Sequence, residues 1–243
     1  MTTIQDRLLL TSIMSALARG KKTKTILRRN LGPTASDVDR AIEAGLKLKL
    51  LKSLTQGYVQ LVPNAELTIL EADYYDSVGK MLERYYQERL TDDGRFLVAK
   101  TARKDTKVAG RWTRPDFTVV ANRKFPYIRE PEFDIITFEV KRPADCEALA
   151  VFEALAHNSA ATRSYVFFPI TQEDLDGNLQ GERIREECVR HGIGLFLAKD
   201  RFRLDEACLV IESQRRPLNP EKCSQFLQNV LEAGELSKLT TWP

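Results

Sequence analysis

The chain has 243 residues, of which 37 are Lys or Arg and 34 are Asp or Glu, for a net charge of +3. This length suits two domains. No apolar run is long enough to cross a membrane, and the N-terminus lacks the apolar core of a signal peptide. We therefore expect a cytoplasmic protein with no membrane partner.

The cysteines favour the same compartment. None of them stands in a CxxC spacing or beside histidines, which argues against a zinc site or a disulfide framework. Reduced thiols are typical of cytosolic proteins. The four residues are Cys146, Cys188, Cys208 and Cys223.

Charge is distributed unevenly along the chain. Residues 1–62 hold eleven Lys or Arg against four Asp or Glu, a net of +7, and residues 63–243 hold 26 against 30, a net of −4. A basic segment of this kind is typical of a module that contacts phosphates. The alternative is a solvated basic face on a domain that contacts protein.

The first 62 residues predict three helices followed by a β-hairpin. The helices cover residues 4–18 and 23–31 and a segment that begins at the capping residues 34–37 and runs to Leu46. The hairpin joins residues 50–54 to 58–62 through Thr55-Gln56-Gly57. This pattern resembles a winged helix-turn-helix domain, a family used mainly to bind double-stranded DNA.

That resemblance implies a nucleic-acid partner, with the third helix in the major groove and the hairpin on the backbone. The candidate DNA-binding residues cluster at the second helix and on or after the third. They are Lys21, Lys22, Lys24, Arg28, Arg29, Arg40, Lys47 and Lys49.

Residues 64–243 predict an α/β domain whose elements follow the order helix, three strands, helix, strand, helix, strand. The helices are expected at 70–90, 144–159 and 184–191, and the strands at 95–100, 114–121, 133–141, 164–168 and 193–198. Residues 122–132 suit a connecting loop. A strand at 207–211 and a helix at 219–233 complete the domain as a packing extension.

Charged residues occupy two of these apolar strands. If the strands pair antiparallel with Asp116 opposite Glu139, apolar and polar side chains separate onto the two faces, and a one-residue slip mixes them. Opposed residues have Cβ atoms about 4.5–5.5 Å apart, so two carboxylates can share one cation. Lys141 is two residues past Glu139 and faces the same way. The alternative is an edge hairpin with a surface salt bridge.

The residues Pro115-Asp116 and Glu139-Val140-Lys141, in that order of elements, resemble the PD-(D/E)XK nuclease superfamily, which has a restriction-endonuclease-like fold. The resemblance covers roughly residues 66–200. It implies that Asp116, Glu139 and the Val140 carbonyl hold Mg²⁺, with Mn²⁺ as a substitute, and that Lys141 orients or deprotonates the attacking water.

Relatives often add two residues from neighbouring helices. One is a glutamate ahead of the first strand, for which Glu83 is the candidate and Asp76 the alternative. The other is a glutamine after the lysine strand, and the segment 144–159 has none. His157 follows Glu153 by four residues, and we expect a helix-surface pair.

The expected architecture is therefore a winged-helix-like domain over 1–63 and a nuclease-like domain over 64–243. The resemblance implies a Mg²⁺-dependent endodeoxyribonuclease of restriction, phage defence or mobile-element processing, acting as a homodimer or in a larger complex. Two alternatives stay open: a DNA-binding regulator or complex subunit with an inactive or conditionally active nuclease core, and a nuclease that acts on RNA.

Overall fold

The computed structural model describes residues 3–32, 34–90, 94–102 and 114–242. It divides the chain into two units, one formed by Met1–Tyr74 with Arg201–Arg203 and the other by Tyr75–Asp200 with Leu204–Pro243. Among the described helices, none has the length and apolar content that crossing a membrane requires. The four cysteines are free thiols.

The first unit contains three helices and a small antiparallel sheet. Its elements are α1 (Ile4–Leu17), β1 (Lys22–Thr23), α2 (Lys24–Asn30), α3 (Ala35–Lys47), β2 (Leu51–Ser53) and β3 (Tyr58–Leu61). The strand order is β1-β3-β2. Thr34 caps α3, since its side chain accepts from Asp37 N–H at 3.1 Å. The three predicted helices and the hairpin are thus confirmed.

The boundary between the units lies later than the predicted position at residue 63. Ala65 and Leu67 pack against the apolar core of the first unit. Arg7 on α1 donates to the Thr68 carbonyl at 2.6 Å and forms an ion pair with Asp73 at 2.8 Å. These contacts attach residues 64–74 to the first unit, and no apolar periodicity in this segment predicts them.

The second unit is built on a mixed six-stranded sheet. Its elements are α4 (Tyr75–Arg89), β4 (Arg95–Lys100), β5 (Phe117–Phe125), β6 (Ile128–Val140), α5 (Leu149–Ala156), β7 (Arg163–Phe168), α6 (Gln172–Asp176), α7 (Gly181–His191), β8 (Gly194–Ala198), β9 (Ala207–Ile211), α8 (Pro220–Val230) and α9 (Ala233–Thr240). The strand order is β4-β5-β6-β7-β8-β9. Of the described strand pairs, β6-β7 and β7-β8 are parallel and the other three are antiparallel. The expected α/β class is therefore confirmed, and the predicted elements occur in the expected order with one additional helix, α6, between β7 and α7.

The predicted loop over residues 122–132 is wrong, because β5 and β6 extend through most of it as a hairpin. Arg123 pairs with Glu132 in the register, and the guanidinium lies 2.5 Å from the carboxylate. The charges that suggested a loop therefore form a cross-strand pair, which stabilises a hairpin instead. Only Pro126 and Tyr127 form the turn.

Two predicted helices are shorter than expected. The segment 70–90 begins with a 3₁₀ turn over Glu71–Asp73, and α4 follows it. The segment 144–159 keeps only α5 as α-helix, with 3₁₀ turns on either side of it. The structure also adds α6 and α9, which the sequence did not predict.

Helices cover both faces of the large sheet. On one face, α4 places Tyr75 against Phe117 and Tyr85 against Phe196, with ring centroids 5.7 and 5.0 Å apart. On the other face, residues of α5 and α7 form an apolar cluster with Val166 and neighbouring strand residues. The sheet is therefore buried on both sides, and a charged residue on it must find partners within the protein.

Candidate active site

The two predicted carboxylates lie at the same end of the β5-β6 pair. Phe117 lies opposite Phe138, so the predicted antiparallel alignment of the two strands is confirmed. Asp116 directly precedes β5, and its N–H donates to the Phe138 carbonyl at 3.0 Å, outside the regular ladder. Asp116 is 7% exposed and Glu139 is 9% exposed. Burial of an acid is costly unless it has its own donors.

Asp116 accepts hydrogen bonds from two directions. The Tyr75 hydroxyl, at the start of α4, donates to Oδ1 at 2.5 Å, and the Val140 N–H donates to Oδ2 at 2.8 Å. The backbone is fixed as well, because Thr101 N–H donates to the Asp116 carbonyl at 2.8 Å. The carboxylate therefore has a defined position between helix and sheet.

Glu139 lies between two donors. Lys141 Nζ is 2.6 Å from Oε1, and His157 Nε2 is 3.2 Å from Oε2. Burial raises the pKa of Glu139, but the His157 hydrogen bond and the charge of Lys141 outweigh it, and the pKa lies below its ordinary value. Glu139 is thus ionised at neutral pH, and His157 Nε2 must carry the proton of their hydrogen bond.

Lys141 bridges two acidic residues. Besides Glu139, its Nζ lies 2.7 Å from Glu153 Oε2, an ion pair whose angle falls outside hydrogen-bond geometry. The side chains of Lys141 and Glu153 are 15% and 14% exposed. A surface salt bridge, the alternative left open by the sequence, does not describe this buried group of charges.

The backbone of Val140 faces β5. Lys141 N–H donates to Phe167 O on β7, so by alternation the Val140 N–H and carbonyl point to the other side of the strand. The Val140 N–H accordingly donates to Asp116 Oδ2. The Val140 carbonyl therefore lies on the side of β6 that faces Asp116.

Of the two candidate helix carboxylates, Asp76 directly follows Tyr75, the residue that contacts Asp116. The Asp76 side chain is 88% exposed and lies 3.5 Å from Lys100 Nζ. Glu83 is also exposed and lies seven residues further along α4, about 10 Å away. Position along α4 therefore makes Asp76 the better candidate. The sequence does not reveal which end of α4 meets the carboxylates.

The sequence missed three residues of this site: Tyr75, Glu153 and His157. The expected surface pair between Glu153 and His157 is wrong, because His157 is 3% exposed and contacts Glu139. His157 Nδ1 is also buried, without a hydrogen-bond partner among the described residues. The four-residue spacing did show that both side chains share a helix face. It did not show that this face is turned to the sheet.

Of the eight candidate DNA-binding residues, Lys22 and Lys24 are half-buried and the other six are exposed. Two of the exposed six are already paired within the first unit. Arg28 donates twice to Asp39, at 2.9 and 2.8 Å. Arg40 lies 3.2 Å from Asp6 and 2.8 Å from Asp37. The positive charges of Arg28 and Arg40 are therefore compensated. Fewer uncompensated charges remain to contact phosphates than the count of eight basic residues suggests.

The donor atoms of the site suit a hard divalent cation. Carboxylates and a backbone carbonyl are the ligands that Mg²⁺ prefers. Each carboxylate oxygen of Asp116 and Glu139 accepts at least one contact from the protein, which orients both side chains. Within the described residues, no group of three or more His, Cys, Asp or Glu side chains is arranged to hold a metal.

The depressed pKa of Glu139 leads to an expected pH dependence. At pH values above the ordinary glutamate pKa, about 4.3, ionised Glu139 stabilises the folded protein. This stabilisation is lost as the pH falls through the lower pKa that Glu139 has in the folded protein. Glu139→Gln should therefore lower the melting temperature near pH 7, and its difference from wild type should shrink toward pH 3. Exposed Glu130→Gln serves as the control. A difference that stays constant over this range contradicts the expectation.

Comparisons with known proteins add little to this geometry. No protein-family model matches the chain, and no curated protein matches it. A solved structure described as "SPO1766 protein of unknown function from Silicibacter pomeroyi" is similar over 72% of this chain and 91% of that chain, at 15% identity and a TM-score of 0.36. A score of that size carries no argument about fold or function. The residues of the site carry the functional conclusion.

Proposed function

We propose that the chain is a Mg²⁺-dependent endonuclease that hydrolyses DNA phosphodiester bonds, with a winged-helix-like first unit that contacts DNA. Restriction, phage defence and mobile-element processing are the settings of such enzymes. The observation that supports the proposal is a group of buried charges at one end of the β5-β6 pair, in which Val140 N–H binds Asp116 and Lys141 binds Glu139.

Each residue of the site would have a distinct role. Asp116, Glu139 and the Val140 carbonyl would hold the cation, and Asp76, next to Tyr75 on α4, is the helix acid expected to assist them. A bound Mg²⁺ lowers the pKa of water and stabilises charge on phosphoryl oxygens. Lys141, held between two acids, would donate hydrogen bonds to the attacking water or to a non-bridging phosphate oxygen.

The reaction needs no covalent intermediate with the protein. A water oxygen bonds to phosphorus while the bond from phosphorus to the leaving sugar oxygen breaks. The water gives up a proton to solvent, and the leaving oxygen takes one. Tyr75 and His157 would be positioning residues, because each donates a hydrogen bond that holds one of the two carboxylates in place.

A plasmid-nicking assay tests the proposal. Purified full-length protein with Mg²⁺ or Mn²⁺ should convert supercoiled plasmid to nicked or linear DNA, and EDTA should stop it. Lys141→Ala should abolish this conversion. Loss of supercoiled DNA that survives Lys141→Ala contradicts the proposed site. Parallel incubations with single-stranded DNA and RNA separate DNA cleavage from an RNA-directed activity.

Glu153 is proposed to position Lys141, and its effect on nicking activity can be measured separately from its effect on folding. Glu153→Ala should lower nicking about tenfold or more, since it removes the second acid that holds Lys141. Glu153→Gln keeps an oxygen at the same distance and should restore most of the loss. Glu147→Ala, at an exposed acid just before α5, should have no effect. Equal activity of the Ala and Gln variants contradicts the positioning role.

A further inference from the structure

A long segment of the first unit contains no acidic residue. Between Asp6 and Asp37 the sequence has no Asp or Glu, and this segment includes most of α1, β1 and α2. Arg28 within it is paired with Asp39. Five other cations follow α1, and among the described residues none of them forms an ion pair. We call them the basic ridge: Arg19, Lys21, Lys22, Lys24 and Arg29.

Helix α3 has the opposite character. It carries three acids against two bases, a net of −1. Arg40, one of the bases, is paired with Asp37 and Asp6, and Glu43 is exposed in the middle of the helix. Carboxylates repel the phosphate backbone. Affinity for DNA comes from Lys and Arg side chains, which neutralise phosphates and release the cations condensed on the DNA. This charge pattern disfavours insertion of α3 into a groove.

Three of the five ridge residues lie on regular elements, Lys22 on β1 and Lys24 and Arg29 on α2. Lys22 and Thr23 of β1 pair with Val59 and Tyr58 of β3. Lys21 is exposed, and its Nζ lies 5.0 Å from the centre of the Tyr58 ring, a cation–π contact. Cations whose positions are already restricted lose less freedom when they meet a phosphate backbone, which favours binding.

We propose that the basic ridge, and not α3, holds DNA, by contacts to the phosphate backbone that do not read its sequence. Phosphate contacts fix a protein on the duplex but carry no base information. The first unit is then a sequence-independent tether for the nuclease site. This inference rests on the proposed function for its choice of DNA as the partner.

Binding measured without metal tests the ridge separately from cleavage. Full-length protein in EDTA is titrated into a fluorescein-labelled duplex of about 20 base pairs at several salt concentrations. The ridge variant is Arg19→Glu, Lys21→Glu, Arg29→Glu. The matched control is Lys47→Glu, Lys49→Glu, Lys52→Glu, which reverses the same number of exposed charges on or after α3. Circular dichroism checks that both variants fold.

The ridge variant should bind at least about tenfold more weakly, and its salt slope should fall by about 0.9 for each lost phosphate contact. The control should stay within about threefold of wild type, and two unrelated duplexes should bind alike. Equal losses in the two variants, or strong preference for one duplex, overturn the proposal. Tighter binding of an RNA duplex overturns the choice of DNA. A protein that binds through the ridge but never nicks DNA contradicts the proposed function alone.

Discussion

Asp116→Asn should remove Mg²⁺-dependent nicking almost completely while the protein stays folded. The substitution keeps the size of the side chain and an oxygen that can accept from Tyr75 or Val140 N–H. It removes the negative charge that a shared cation needs. Metal stabilisation of a reacting phosphate is worth several kcal/mol, so we expect a loss of about 100- to 1,000-fold. Initial rates of plasmid nicking measure it.

A buried acid outside the site provides the control for Asp116→Asn. Glu187 on α7 is also 7% exposed, and it pairs with Arg190 at 2.9 Å and with His191 at 3.2 Å. Glu187→Gln should lower stability without changing the nicking rate of the folded protein. If Asp116→Asn keeps its activity within about threefold of wild type, Asp116 holds no metal during the reaction.

Alternation in the sequence predicted the part of the site that lies within one pair of strands. The antiparallel alignment of β5 and β6, with Phe117 opposite Phe138, follows from it, because only one alignment sorts apolar from polar residues. The same reasoning placed Lys141 on the side of Glu139. These are local properties, fixed by the two-residue period of a strand.

The rest of the site depends on how separate elements pack. Tyr75 reaches Asp116 only because α4 lies across β5, and Glu153 reaches Lys141 only because α5 lies across β6 and β7. A helical pattern shows which residues share a face but not which strand that face meets. The boundary at Tyr74 was missed for the same reason, since it depends on contacts between residues distant in sequence, such as the ion pair of Arg7 with Asp73.

Asp134→Ala should cost the largest amount of stability. The Asp134 carboxylate is fully buried on β6, and it lies 2.8 Å from Arg215 Nε, 2.9 Å from the Thr162 hydroxyl and 3.1 Å from Arg123 Nη2. Burial raises its pKa, but the hydrogen bonds from Arg215 and Thr162 and the charge of Arg163 outweigh this and lower it. Its removal leaves several guanidinium groups without their common partner.

We expect Asp134→Ala to lower the free energy of unfolding by about 3 kcal/mol. This value is at the low end of the range for breaking a buried ion pair, because Arg123 and Arg215 are partly exposed. Urea denaturation measures it. Asp176→Ala, which breaks an exposed pair with Arg185, should cost less than about 1 kcal/mol. Similar losses in the two variants contradict the structural role of Asp134.

The same variant separates stability from chemistry. Asp134 is five residues before Glu139 on β6, about 17 Å along the strand. Below its melting temperature, Asp134→Ala should therefore nick DNA at nearly the wild-type rate, whereas Asp116→Asn should be stable and inactive. The opposite pattern would move the chemistry to the other end of the sheet.

The position of a bound cation tests the central claim most directly. Crystals of the full-length protein soaked in Mn²⁺ should show one anomalous peak in contact with both the Asp116 and Glu139 carboxylates, at about 2.0–2.2 Å as for Mg²⁺. The peak should disappear in Glu139→Gln. A peak elsewhere, or none while the two carboxylates keep their contacts to Tyr75 and His157, would contradict a shared metal site.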